Sequence, residues 1–312
     1  MNWKMANARE AFGEALLQLG REDERIVALN ADLSSSTKTN KFAKEFPERF
    51  FNAGIAEQNM MGMAAGLATT GKIPVASTFA VFATGRVYDI IRQSIAYPRL
   101  NVKIVATHAG ITVGGDGASH QITEDIALMR VLPNMRIVVP ADAVETVKAF
   151  RSIVYDEGPF YMRLGRSDTP VVFDEGYEFT LGKASTVEDG EDVAVIATGI
   201  MLSRALEARE MLEDEGISAR VLNMSTIKPL DRDAVVRAAR DTKGIVTAEE
   251  HSIIGGLGGA VAEVCSREHP TRILMVGVED TFGQSGDAEG LMRHFKLTPE
   301  RIVEYARKIV EG

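Results

Sequence analysis

Glu57 stands at the head of an apolar helical run, GIAEQNMMGMAAGLA (54–68), directly after a strand-like segment ending at Asn52-Ala53-Gly54. A carboxylate at the strand-to-helix edge of an α/β sheet lies where such folds bind ligands. It is equally a favourable partner for a positive helix terminus, worth about 0.3–1 kcal/mol, and this segment alone leaves both readings open. Further on, VATHAGITVGGDGASHQITED (105–125) carries His108, Asp116 and His120 around a glycine-rich turn. That cluster fits a polar substrate loop, plain turn chemistry or a metal site. Loop-borne His and Asp at this spacing match no standard metal motif.

These residues need a scaffold, and the chain supplies one of alternating strands and helices. Apolar runs of strand length fall at 25–32, 72–79, 101–108, 135–142 and 159–165, with amphipathic stretches at 58–71, 88–98 and 143–158 between them. Strands that alternate with helices, many closed by Gly or Pro, predict parallel sheets with helices on both faces. The alternation lapses over 166–190, a stretch rich in Gly, Asp, Glu and Pro, and resumes with a strand at 193–199 and a helix at 201–215. Strands at 218–229, 244–251 and 272–280 follow. The expected fold class is α/β, two doubly wound domains with mainly parallel sheets, over 1–170 and 187–312 with a linker at 171–186.

Composition narrows the function classes. The chain has 312 residues, 45% hydrophobic and 25% charged, with a net charge of −9. An acidic surface gives no long-range attraction for a nucleic-acid backbone, so no nucleic-acid partner is expected. No apolar run approaches the ~20 residues of a membrane span, and the N-terminal stretch reads as a helix rather than a signal core. The single cysteine, Cys265, cannot form an internal disulfide and sits in a helical pattern, which reads as a small core residue of a cytoplasmic protein. GGLGGAV (255–261) departs from the dinucleotide fingerprint and reads as close helix packing. Glu249, Glu250 and His251 stand at a strand end without an assigned role.

Taken in order, NADLSSST (30–37), NAGIAEQNMMGMAAGLA (52–68), STFAVFATGRVYD (77–89), THAGITVGGDGASHQITED (107–125) and YMRLGR (161–166) resemble the transketolase family. The H-x7-D-x3-H loop is the most specific of these, and the IKPLD and EEHSIIGGLGGAV stretches look like the family's C-terminal domain. The resemblance covers nearly the whole chain and implies the pyrimidine-binding and C-terminal domains of a split transketolase. The diphosphate-binding domain would then lie on a separate N-terminal subunit. The GDG at 115–117 is not the magnesium motif of thiamine enzymes, because its first downstream Asn, Asn134, comes too early and after a predicted helix.

The resemblance implies thiamine diphosphate as cofactor, with Mg2+ held mainly by the partner subunit and no metal ligands on this chain. Glu57 corresponds to the glutamate that bonds the aminopyrimidine ring and promotes its imino form. Phe79 and Phe82 match the aromatic wall around that ring, and Asp32 a family aspartate near the cofactor. Where many members carry a third aromatic this chain has Gly85, with Tyr88 three residues on. His108, Asp116 and His120 match sugar-contacting positions, and the histidines catalytic ones as well. Arg9, Ser36 and Arg166 match phosphate-gripping positions, although Ser34 to Ser36 could equally be a helix N-cap run. The implied reaction is two-carbon ketol transfer between sugar phosphates in a two-fold assembly of heterodimers. Relatives with the same fold are the beta subunit of 2-oxoacid dehydrogenases and deoxyxylulose-phosphate synthase; a binding protein that kept the fold is the non-catalytic alternative.

Overall fold

The computed structural model describes residues 3–312. Seven strands form the first sheet, in the spatial order Thr226–Lys228, Arg136–Val138, Phe160–Arg163, Lys103–Ala106, Ile73–Ser77, Ile26–Asn30, Phe50–Asn52. All neighbours are parallel except the antiparallel edge strand Thr226–Lys228. The central strands Ile73–Ser77, Ile26–Asn30 and Lys103–Ala106 are buried at every residue, as strands covered by helices on both faces must be. Five strands form the second sheet, in the order Ile273–Val278, Ile245–Ser252, Val193–Ala197, Ala219–Asn223, Ser185–Glu188. Only Ser185–Glu188 runs antiparallel to its neighbour. The α/β class with mainly parallel sheets is therefore what the chain adopts.

The first sheet places its ligand edge by topology. From Ile26–Asn30 the chain crosses outward to Phe50–Asn52, then returns to the other flank as Ile73–Ser77. Connections leave these strands in opposite directions, so a crevice opens outside the carboxyl ends of Asn30 and Ser77. Asn30 braces that crevice: its Nδ2 donates to the Ser77 carbonyl at 2.7 Å, and its Oδ1 accepts from Leu33 N at 2.6 Å.

Two helices, Ala8–Glu22 and Ala143–Tyr155, cover one face, where Phe12 and Phe150 meet edge to face at 5.0 Å. Glu57–Ala68 covers the other, burying Met60, Met61, Ala64 and Ala65. That second core continues into the C-terminal lobe through Ala194, Ile196, Ile245, Leu257 and Val261.

Three details depart from the sequence reading. The stretch 218–229 is two strands in different sheets: Ala219–Asn223 belongs to the second and Thr226–Lys228 closes the first. Continuous apolar character marks burial and carries no record of which sheet supplies the partner. The helix at 88–98 widens after Tyr88–Ile90 into a π-turn over Ile91–Ala96. Within 166–190, Thr169–Pro170 pairs with Met5–Ala6, and Ser185–Glu188 already belongs to the second sheet.

Candidate functional site

The helix Glu57–Ala68 starts where the loop after Phe50–Asn52 turns back, so Glu57 occupies its first position. Only 3% of Glu57 is exposed, and its carboxylate accepts from Arg86 Nη1 at 3.1 and 3.0 Å. The Arg86 guanidinium in turn lies 4.3 Å from the centre of the Phe82 ring. Glu57 is thus a buried carboxylate whose charged partner is one half-exposed arginine.

Phe79 caps the short helix Ala80–Thr84 just beyond Ile73–Ser77, and it is pinned there by an Ala80 N–H to Thr107 carbonyl bond of 2.7 Å. Its ring stacks on His108 at 3.7 Å and lies parallel to Phe82 at 6.0 Å. His120 meets the edges of Phe79 and Phe82 at 6.3 and 5.6 Å. Four of the expected residues, Phe79, Phe82, His108 and His120, thus form one ring cluster, with Glu57 joined to it through Arg86. Tyr88 packs against the core instead, and the rings that Phe82 meets are those of Phe79 and His120.

His108 is buried, and Thr107 Oγ1 lies 2.8 Å from its Nδ1. Burial first, then the positive charges of Arg9 and Arg166, lowers its pKa to about 3. Its imidazole is therefore neutral at ordinary pH. Asp116 is exposed on the 3-10 turn Gly114–Asp116, free to face a ligand.

Arg9 and Arg166 come together. Arg9 Nη2 donates to the Arg166 carbonyl at 2.8 Å and Nη1 to the Ser36 carbonyl at 2.9 Å, while Arg166 Nη1 donates to the Val113 carbonyl. Burial and the neighbouring Arg166 lower the Arg9 pKa. Two arginine cations close enough for one to act on the other favour an anion beside them. Ser36 reaches this pair through its backbone. Ser34–Thr37 is itself the helical turn, capped by Leu33 without a side-chain bond, so these serines do not act as an N-cap run. Asp32 sits exposed at φ 60°, its N–H donating to Asn52 Oδ1 at 3.0 Å.

Sequence reasoning missed a second set of residues. Arg86 lies within STFAVFATGRVYD without an assigned role; an arginine four places past the aromatic Phe82 is its signal. At the seam between the lobes, Asp125 accepts from Arg163 Nε at 2.8 Å and Tyr161 Oη at 2.6 Å, and Arg163 Nη2 donates to the Glu250 carbonyl at 2.9 Å. Glu249 accepts from the Leu257 and Gly258 N–H groups at 2.7 and 2.8 Å. The GGLGGAV turn thus wraps an internal carboxylate, and Gly258 packs against Met275, in keeping with close helix packing. Cys265 is buried in the helix Leu257–Glu268, and burial raises its pKa. Among the described residues no three His, Cys, Asp or Glu side chains gather as a metal cage, and no helix is long and apolar enough to cross a membrane.

Fold and site describe a two-lobed α/β protein with a buried carboxylate, a ring cluster and two neighbouring arginines at one edge of the first sheet. Residues 4–171 match the transketolase pyrimidine-binding domain and residues 182–302 the transketolase C-terminal domain. The chain belongs to the transketolase family. It is 53% identical to a putative transketolase C-terminal section of Methanocaldococcus jannaschii, covering 97% of this chain and 95% of that one. It is 44% identical to a 6-deoxy-6-sulfo-D-fructose transketolase subunit of a Clostridium species, over 97% and 94% of the two chains. A solved structure described as a split gene transketolase, inactive beta4 tetramer, superposes with a TM-score of 0.92 at 56% identity, over 98% of each chain.

Proposed function

We propose that this chain is the pyrimidine-binding subunit of a thiamine-diphosphate-dependent transketolase, which moves a two-carbon ketol unit from a ketose phosphate to an aldose phosphate. The observation that carries the reading is the buried Glu57 carboxylate beside the Phe79–Phe82–His108–His120 ring cluster. The residues fit the cofactor: a carboxylate at the rim of an aromatic wall can bond one edge of an aminopyrimidine while a ring covers its face. When bound, thiamine diphosphate supplies the electron sink that makes a ketol carbanion accessible.

The chain's own residues do the rest. Glu57 holds a proton at the pyrimidine nitrogen, after exchanging Arg86 for the ring. Phe79 and Phe82 orient that ring and exclude water. His108, which is neutral, and His120 bond sugar oxygens, and Asp116 accepts from a sugar hydroxyl. Arg9 and Arg166 grip the distal phosphate in charge-assisted bonds, with the Ser36 backbone holding Arg9 in place. Asp32, exposed at the crevice rim, lies toward the cofactor side.

Diphosphate and Mg2+ contacts belong in this reading to a separate N-terminal subunit, and two such heterodimers pair about a two-fold axis in the cytoplasm. Within the chain, residues 1–170 form the pyrimidine-binding domain, and the C-terminal domain starts at the strand Ser185–Glu188, two residues before the expected 187. A relative whose name carries a sulfonated sugar supports an anion site whose sugar partner varies within the family.

The test is ketol transfer from xylulose 5-phosphate to ribose 5-phosphate with thiamine diphosphate and Mg2+, by the chain alone and with the N-terminal subunit added. Transfer in the mixture alone is the expected result. Silence from a folded and associated mixture removes this sugar pair, and the sulfonated analogue then becomes the donor to try.

A further inference from the structure

The loop that carries Asp116 and His120 is held from both lobes: its own domain contributes Arg166 and Ser167, which donate to the Val113 and Thr112 carbonyls, and the C-terminal lobe contributes further bonds. The loop's Thr112 N–H donates to Glu250 Oε1 of the C-terminal lobe at 2.7 Å, and Glu250 is a fully buried side chain on the strand Ile245–Ser252. At the loop's far end, Gln121 Nε2 donates to the Gln284 carbonyl of the same lobe at 3.0 Å and to the loop's own Ile111 carbonyl at 3.0 Å. Two residues on, the Thr123 carbonyl accepts from Ser252 N at 2.6 Å.

The loop's glycines record the same contact. Gly110 adopts φ 81°, and a Cβ there would stand 2.2 Å from Glu250 Oε1. Gly117 adopts φ 71°, and its Cβ would stand 2.5 Å from Ser285 Oγ. Left-handed backbone and missing side-chain volume are both required at these two positions because the second lobe lies against them. On its other side the Glu250 backbone accepts from Arg163, whose guanidinium also neutralises Asp125 at the start of the helix Asp125–Arg130. One buried charge network therefore ties the loop, the helix after it and the C-terminal lobe into a single bracket.

We infer that the C-terminal lobe positions the substrate loop, and that Glu250 is the positioning residue through which it does so. Glu250 touches no substrate. It fixes the Thr112 end of the loop, and thereby the approach of Asp116 and His120 to the Phe79–Phe82–His108 wall. The consequence for catalysis rests on the reading above that this loop meets the sugar; the consequence for the loop does not.

Hydrogen exchange on the full chain tests the structural half. In Glu250→Ala the amides of residues 110–121 exchange faster by about tenfold, the factor expected on losing one buried hydrogen bond. Those of the helix Glu57–Ala68 are unchanged, and Glu250→Gln, which still offers an acceptor oxygen to Thr112, restores most of the protection. Gly117→Ala, which leaves the charge network intact but drives the loop off Ser285, gives the same local signature. In the assembled enzyme, Glu250→Ala raises the sugar KM by about tenfold and leaves kcat and cofactor affinity, read by fluorescence quenching, near wild type. Unchanged exchange in the loop overturns the inference, as does acceleration spread evenly over the chain. A freed loop with an unaltered KM upholds the positioning and overturns the assignment of this loop to the sugar.

Discussion

The imidazole of His108 lies flat on Phe79 at 3.7 Å, with the positive charges of Arg9 and Arg166 acting on it. Burial and those charges oppose protonation together, so the ring stays neutral until the pH falls to about 3. The sign of the linkage follows. A depressed folded-state pKa contributes stability that is present above the unfolded value near 6.5 and is lost as pH falls toward the folded value. His108 therefore serves as a neutral hydrogen-bonding group at working pH, not as a proton source. In an NMR titration from about pH 8 to about pH 5, where an ordinary histidine titrates, its ring resonances stay flat. A midpoint near 6.5 would remove the buried, doubly repelled environment from the account.

At the scale of elements, the Arg9–Arg166 pair depends on how one helix begins. Asn7 caps Ala8–Glu22 by accepting from Arg9 N at 3.1 Å and Glu10 N at 3.4 Å, and its Nδ2 donates to Asp168 Oδ1 at 2.7 Å. Asn7→Ala removes the cap and the strap to the Arg166 segment together. The expected cost is about 1–2 kcal/mol, read from the urea midpoint, with a weaker grip on the sugar phosphate because Arg9 is released from its register.

Much of this level was legible beforehand. Strands such as Ile26–Asn30 and Ile73–Ser77 stand out because parallel strands buried on both faces must be apolar throughout. The place of Glu57 at the head of the helix Glu57–Ala68 was legible; a role for it came only with the family resemblance, since the segment alone left the helix-terminus reading open. What was not legible depends on long-range partners. The break at Met224-Ser225 sends one apolar stretch to two sheets, and the Thr112–Glu250 bond joins residues 138 apart in sequence. Neither leaves a periodic signature. The glycines of the loop looked like turn residues because the carboxylate and the hydroxyl that exclude a Cβ come from the other lobe.

Across the whole molecule the lobes are joined by more than their linker. The edge strand Thr226–Lys228 closes the first sheet from the C-terminal half of the sequence, with Val139 N donating to the Ser225 carbonyl at 2.7 Å beside it. Glu145, buried on the helix Ala143–Tyr155, accepts from Asn223 Nδ2 at 2.9 Å. One apolar core runs through both lobes. Independent domains share little such surface, so this chain should unfold as one unit. Calorimetry is expected to give a single transition, with agreement between calorimetric and van't Hoff enthalpies. Two resolved transitions would mean that the seam contributes little.

That unity presents Glu57 on a rigid edge, and the central claim is that its carboxylate shares a proton with the cofactor ring. The direct measurement compares Glu57→Gln with wild type in the assembled enzyme for turnover, cofactor affinity and association with the partner. Turnover lower by about 10²–10⁴-fold, the usual worth of a positioned acid or base, with assembly intact and cofactor still bound, is the predicted result. Turnover near wild type in a variant that cannot hold that proton would contradict the account.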